Sequence, residues 1–346
     1  MTANRSRRWP RGHHLIGTYG LPALAALLFL VFSVVLPDTF PTLDNISSIL
    51  SNQSIPALLA LGATIPVVTG KFDLSIGYGL GLAHVLTLQL IVGGWPWPLA
   101  CLAVITGGAA FGVLNGLVVE YGRIDSFIAT LGTGSILYAF TGWITGGARI
   151  VPGPGGLPAG FTDLYDSKFL GLPVSASYVV VLTAALWLLL ERLPLGRYMY
   201  VIGSNTRAAE LVGIPIRRYG VYAFAGSGLV VGCAGVLLAA QQQIGNPSVG
   251  IDYLLPAFVG ALLGSTAIRP GRANALGTVV AVAVLAIGLA GIGQLGADFW
   301  TVPLFNGAAL LVAVGLAGYS ARRRLRADAA GNGHAPADAA APRDAR

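Results

Sequence analysis

The sequence predicts an all-α, polytopic membrane protein: a bundle of about ten transmembrane helices with both termini in the cytoplasm. Of the 346 residues, 55% are apolar and only 10% are charged, far from the roughly 25% charged residues of a soluble domain. The apolar residues also form runs of the ~20 residues that a helix needs to cross a hydrocarbon core of about 30 Å. Finally, 19 of the 21 Lys and Arg residues fall on one side of the predicted bundle, as expected if cytoplasmic loops carry the excess of positive charge.

Ten apolar segments free of Asp, Glu, Lys and Arg define the predicted spans. They are residues 21–37, 54–70, 77–94, 98–119, 127–147, 172–190, 219–241, 253–268, 273–295 and 300–319. With the N-terminus inside, only Arg149 and Lys168 lie outside. Spans two to five and spans seven to ten then have opposite orientations, which allows an inverted repeat of the kind common in transporters.

The predicted spans divide the chain into three parts. Residues 1–20 form a basic cytoplasmic N-terminal segment, residues 21–320 form the transmembrane domain, and residues 321–346 form a cytoplasmic tail. The tail is rich in Ala, Asp, Gly and Pro, so it cannot bury a core and is predicted to be disordered.

Composition also excludes several functions. The net charge of +7 reflects basic residues clustered between apolar runs and at the chain ends, a pattern that indicates membrane topology and contact with lipid rather than nucleic-acid binding. Cys101 and Cys233 lie in apolar runs without metal-ligand spacing. No phosphate-binding loop, zinc-protease motif or nucleophile elbow is present in the sequence. We therefore predict no catalytic site, metal or cofactor, and any ATP that drives this protein binds to another chain.

A charged, glycine-flanked break separates the second and third spans. The sequence VVTGKFDLSIGYG places Lys71, Asp73, Ser75 and Gly77 between two apolar runs. Charge at membrane depth is tolerated only where it faces protein, a cavity or an interface, so these residues are candidates for a translocation pathway or a gate. The alternative is a satisfied turn near the cytoplasmic surface, in which Asp73 and Ser75 cap the next helix and Lys71 pairs with Asp73.

The cytoplasmic segment from Glu191 to Tyr219 is longer than a turn. It contains a capping signal, then good helix formers, then a stop: Asn205 or Thr206, followed by Ala208, Ala209, Glu210 and Leu211, and ended by Gly213 and Pro215. A capped helix in a cytoplasmic loop is a candidate docking surface, whereas the alternative is a plain connector. Arg269 and Arg272 form a basic turn nearby in the second half, which either anchors the topology or contacts a partner or lipid phosphates.

Four stretches, in order, resemble the ribose-type permeases of bacterial ABC importers. The first is the G-x-x-D-L-S-x-G signature at Gly70–Gly77, and the others start at Ile124, Leu195 and Leu254. The similarity covers residues 20 to 320. The chain departs from the family at Lys71-Phe72, where Gly-Ile is usual, and the acidic residue often seen before the late span is present only as Asp252.

This resemblance implies the permease subunit of an ATP-driven sugar importer in the bacterial inner membrane. Its expected partners are a second permease copy, as a homodimer or heterodimer, a periplasmic sugar-binding protein, and cytoplasmic ATPase subunits that carry the ATPase activity. The family's coupling segment falls on Gly203, Asn205, Ala208, Ala209, Glu210 and Gly213.

Few charged residues fall inside the spans, which favours a neutral, hydroxyl-rich solute over an ion. Pentoses, hexoses and sugar alcohols all stay open as solutes. An ion-gradient-driven secondary transporter and, less favoured, an integral membrane enzyme are the alternative functions.

Overall fold

A computed structural model describes residues 11–315 of the protein, and their side chains from residue 18 onward. The described chain is helical apart from one short hairpin, in which β1 (Lys168–Phe169) pairs antiparallel with β2 (Leu172–Pro173). The helices are α1 (Arg11–Val35), α2 (Leu43–Asn52), α3 (Ser54–Val68), α4 (Ser75–Val92), α5 (Trp97–Glu120), α6 (Ser126–Thr145), α7 (Ala159–Asp166), α8 (Val174–Trp187, continued by a π-helical turn Leu188–Arg192), α9 (Pro194–Ser204), α10 (Thr206–Leu211), α11 (Ile216–Gln242), α12 (Val249–Gly264), α13 (Ala275–Gln294) and α14 (Thr301–Gly315).

The helical, polytopic bundle is confirmed, although the number of full-length spans is lower than ten. Among residues 11–315, seven helices are long and apolar enough to cross a membrane, and α2 with α3, bent by 42° between them, makes an eighth. The shorter apolar helices α12 and α14 overlap the two remaining predicted spans. Helix α1 begins at Arg11, inside the segment predicted to precede the membrane domain, while the predicted tail at 321–346 lies outside the described residues.

Helix α11 forms the centre of the bundle and packs against α3, α4 and α5, whereas α1 is peripheral. Glycines set the approach of α5 to α11. A Cβ atom on Gly108 would lie 2.5 Å from the Gly228 carbonyl oxygen, and one on Gly112 would lie 2.9 Å from the Phe224 carbonyl carbon. Backbones can approach this closely only through small residues, which is how helices associate where lipid supplies no hydrophobic drive.

The connection between α11 and α12 explains why α12 is short. Gly245 forms an isolated β-bridge with Ile150, and the Asn246 N–H then donates to Nε2 of His84 at 3.1 Å. Because His84 is a fully buried residue halfway along α4, the connection folds back into the bundle before α12 begins. Helix α12 therefore starts inside the bundle and has less of it to cross. Its first residue is Val249, before the predicted 253, and Asp252 lies in its first turn.

Candidate translocation site

The charged break predicted between the second and third spans is the non-helical segment 69–74 between α3 and α4, in which Thr69 and Asp73 are buried while Gly70 and Phe72 are exposed. The chain turns at Gly70, whose φ of +78° lies in the left-handed region that glycine adopts without strain. Two hydroxyls at the start of α6 then hold the backbone: Ser126 Oγ accepts from the Phe72 N–H at 3.2 Å, and Thr130 Oγ1 accepts from the Leu74 N–H at 2.9 Å. The side chain between them, that of Asp73, is thereby fixed in position.

Asp73 is the acceptor at the centre of a buried hydrogen-bond network, with only 3% of its surface exposed. Its Oδ1 accepts from the Ser75 N–H at 3.1 Å and the Ser75 hydroxyl at 2.5 Å, and its Oδ2 accepts from the Ser227 hydroxyl at 2.9 Å. Burial raises the pKa of Asp73, and the hydrogen bonds from Ser75 and Ser227 oppose that rise. The network joins the break to α4 and α11.

A groove of about 390 Å³ runs along α4 between α5, α6 and α11, within the usual size range of a small-molecule site. It extends from Leu90, near one end of α4, to Asp73 and Ser75 at the other. Its walls are mainly apolar, and its polar side chains, Asp73, Ser75 and Asn115, gather at the inner end. This shape suits a small solute that carries both an apolar face and hydrogen-bonding groups.

The other two residues predicted from the break have different roles. Lys71 pairs with Glu120, the buried last residue of α5, so the predicted pairing of Lys71 with Asp73 is wrong. The physical reason is that both Asp73 oxygens already accept from serine hydroxyls on the far side of the turn. Gly77 packs against α12, since a Cβ atom there would lie 2.8 Å from the Gly250 carbonyl oxygen.

The helix predicted in the segment from Glu191 to Tyr219 is present as α10. Asn205 caps it, with Oδ1 accepting from the Ala208 N–H at 2.9 Å, and Gly213 ends the segment with a φ of +75°. Ala209 is fully buried, whereas Glu210 is exposed and lies 3.9 Å from Arg207. At the end of the helix, two apolar side chains stand exposed: Leu211 at 80% and Val212 at 71%.

The two regions singled out separately in the sequence meet at Gly203, in the last turn of α9. A Cβ atom on Gly203 would overlap the Val68 carbonyl oxygen and lie 3.1 Å from the Thr69 carbonyl carbon. Gly70, the next residue of the chain after Thr69, also lies against the Gly203 backbone. The segment predicted to couple this chain to an ATPase therefore contacts the start of the break that carries Asp73.

A second set of contacts joins α9 to the turn between α12 and α13. Arg269 pairs with Glu191, and the Arg272 guanidinium lies 3.5 Å from the centre of the Tyr200 ring. The Tyr200 hydroxyl donates to the Ala273 carbonyl oxygen at 2.7 Å. Arg272 thus holds α9 through Tyr200, and Arg269 holds the end of α8 through Glu191, so both arginines of the basic turn contact this chain itself.

Sequence reasoning missed three residues of this site: Asn115, Ser227 and Glu120. Asn115 and Ser227 lie within spans that were chosen for lacking charge, so uncharged polar residues in them drew no attention. The available signal was a lone amide in the apolar run FGVLNGLVV, because a polar side chain inside a span is costly and marks a functional position by default.

A multi-pass helical bundle with a groove whose polar side chains gather at one end has the architecture of a membrane permease. Residues 45–314 match the family described as the branched-chain amino acid transport system / permease component, and the chain belongs to this family.

Relatives within it confirm the resemblance to ribose-type permeases of ABC importers. The chain is 32% identical over 293 residues to the ribose import permease protein of Bacillus subtilis, covering 85% of this chain and 90% of that one. It is 30% identical over 285 residues to the ribose import permease protein of Haemophilus influenzae, covering 82% and 88%. The D-allose transport system permease protein of Escherichia coli is 28% identical over 263 residues, covering 76% and 79%. No solved structure matches the chain. The protein is thus a multi-pass inner-membrane permease component, a transporter subunit rather than an enzyme.

Proposed function

We propose that this chain translocates a neutral sugar or sugar-like solute into the cytoplasm, by alternating access, as the membrane subunit of an ATP-binding-cassette importer. The names of its relatives support a monosaccharide as the solute. The single observation that carries the mechanism is the contact of Gly203 with Val68 and Gly70, since it joins the cytoplasmic segment to the start of the break whose Asp73 lines the groove.

The solute path follows the groove along α4 toward Asp73 and Ser75. Its inner end is closed by the segment 69–74, which the Lys71–Glu120 pair and the α6 hydroxyls hold in place. Movement of this segment opens the groove to the cytoplasm. Lys71 therefore acts in gating, and Gly77 allows α12 to stay close to α4 while the segment moves.

The ATPase subunits dock on α10. Leu211 and Val212 are exposed in a segment that the positive-inside rule places in the cytoplasm, where lipid does not cover apolar side chains. Exposed apolar groups at such a place mark a protein interface. The coupling segment comprises Gly203, Asn205, Ala208, Ala209, Glu210 and Gly213. Its docking surface is the exposed Glu210 with that apolar pair, whereas Ala209 is buried and Gly203 packs against α3.

Two further partners complete the proposed importer. A periplasmic sugar-binding protein delivers the solute to the outer end of the groove, and a second permease copy, identical or homologous, pairs with this one in the membrane. ATP is bound by the ATPase subunits, because this sequence contains no phosphate-binding loop.

Reconstitution tests the proposal. The chain is co-purified with its ATPase and sugar-binding partners and placed in proteoliposomes, and uptake of D-ribose and D-allose is measured with and without ATP. We expect uptake that requires ATP and survives ionophores. Uptake that continues without ATP and collapses with an ionophore would instead establish a secondary transporter.

The docking surface is tested in the same preparation. Leu211→Glu should remove the ATPase from the purified complex, because it places a charge in an apolar contact. Leu170→Glu is the matched control, since Leu170 is also exposed, at 88%, but lies in the hairpin between β1 and β2, on the opposite side of the membrane in the predicted topology. Equal ATPase recovery with both variants would refute the assignment of α10.

A further inference from the structure

Asn115 is a buried amide whose oxygen is unused. The residue is 1% exposed and lies at the inner end of the groove, beside Asp73 and Ser75. Its Nδ2 donates to the Ser75 hydroxyl at 2.8 Å, but its Oδ1 has no hydrogen-bond partner among residues 18–315. Buried polar atoms are nearly always paired, so an unpaired one at the end of a cavity needs an explanation.

The network fixes which way this amide faces. Ser75 donates its single hydroxyl proton to Asp73 Oδ1 at 2.5 Å, so its oxygen is left to accept. Only the NH₂ group of Asn115 can donate to that oxygen. The amide oxygen therefore cannot exchange places with the nitrogen, and it is an acceptor that has no donor among the described residues.

We propose that Asn115 contacts the solute and determines specificity: its Oδ1 accepts a hydrogen bond from a solute hydroxyl. The oxygen is enclosed in this arrangement, so the contact forms when the inner end of the groove widens during transport. This inference rests on the proposed import of a neutral sugar and adds a named contact to it.

The surroundings define the chemical class of the ligand. Asp73 and Asn115 both present acceptor oxygens, so the ligand must supply donors, which hydroxyl groups do and an ionised carboxylate or phosphate group does not. The walls next to them are apolar, formed by side chains such as Leu82, Phe111 and Leu137. A sugar ring, with hydroxyls at its edge and C–H groups on its faces, meets both requirements.

The test combines removal of the amide with removal of solute hydroxyls. Maximal ATP-dependent uptake of D-ribose and of its 2-deoxy, 3-deoxy and 5-deoxy analogues is measured in proteoliposomes at saturating binding protein, for the wild type and for Asn115→Leu. We expect the wild type to move one analogue ~10-fold more slowly than D-ribose, because a buried acceptor is then left unmatched. In Asn115→Leu that preference should disappear.

Asn306→Leu is the matched control, because Asn306 is also buried and also has an unpaired Oδ1 among the described residues, but it lies on α14. It should keep the wild-type preference. If Asn115→Leu slows D-ribose and every analogue by the same factor, Asn115 is a packing residue and the inference is overturned. If the wild type takes up neither these sugars nor D-allose with ATP, the proposed function itself fails.

Discussion

A single added methyl group at Gly203 should separate ATP hydrolysis from transport. In Gly203→Ala the new Cβ overlaps the Val68 carbonyl oxygen and lies 3.0 Å from the Val68 carbonyl carbon, whereas ordinary contact begins at 3.4 Å. The partner is rigid helix backbone and its oxygen is the nearer of the two atoms, so α9 must withdraw from α3 by roughly 1 Å. Overpacking of this kind costs about 1–3 kcal/mol, and each 1.4 kcal/mol is a factor of ten.

We expect ATP-dependent sugar uptake by Gly203→Ala to fall ~10-fold, while its ATPase activity without binding protein stays at the wild-type level. The assay measures both rates in the same proteoliposomes and reports solute moved per ATP hydrolysed. ATPase activity should be kept because α10, which carries the proposed docking surface, is unchanged. Uptake should fall because the contact between α9 and the break is altered.

Gly226→Ala is the control, since its Cβ would meet only the Ile65 side chain, at 3.4 Å. Both substitutions remove a helical glycine and give the same small gain in helix propensity, so a difference between them reports the contact. Both proteins must elute as intact complexes. Wild-type uptake per ATP in Gly203→Ala, or equal losses in the two variants, would refute the route from α9 to the break.

Two further predictions concern the buried charges. Asp73→Asn replaces one accepting oxygen with an NH₂ group and so leaves one serine hydroxyl without an acceptor, at a cost of about 1–3 kcal/mol. Uptake in proteoliposomes should therefore fall ~10-fold. A wild-type rate of uptake would show that the network does not support transport. Lys71→Met leaves the Glu120 carboxylate, whose side chain is 6% exposed, without its partner, which should destabilise the protein by about 3 kcal/mol. Thermal unfolding in detergent should show that loss of stability, and the double variant Lys71→Met/Glu120→Gln should recover most of it. Arg207→Ala is the control, because it breaks an exposed pair and should change the stability little. A double variant no more stable than Lys71→Met would contradict the pairing.

The features that the sequence predicted correctly depend on local patterns. Each of the ten apolar segments overlaps an apolar helix, because run length and the exclusion of charge are sufficient to mark a helix in lipid. The helix α10 was also predicted with its cap, since Asn205 and Gly213 act on backbone groups within a few residues of themselves.

The errors and omissions at the site all concern which side chains meet in the fold. Lys71 lies two residues from Asp73 but pairs with Glu120, and Asp73 accepts from Ser227, 154 residues away. Asn115 and Ser75 meet across 40 residues. Nothing in the local sequence around these residues indicates those partners.

The sequence by itself determined that this is a multi-pass membrane protein, and where a capped helix and a charged break between two spans lie, because hydrophobicity, charge and capping act locally. Only the tertiary structure decided that the break and the docking segment touch at Gly203, and that Asn115 joins Asp73 at the end of a groove. The physical reason is that glycine contacts such as Gly108 against Gly228 set how closely and at what register the helices cross, and that register selects which distant side chains meet.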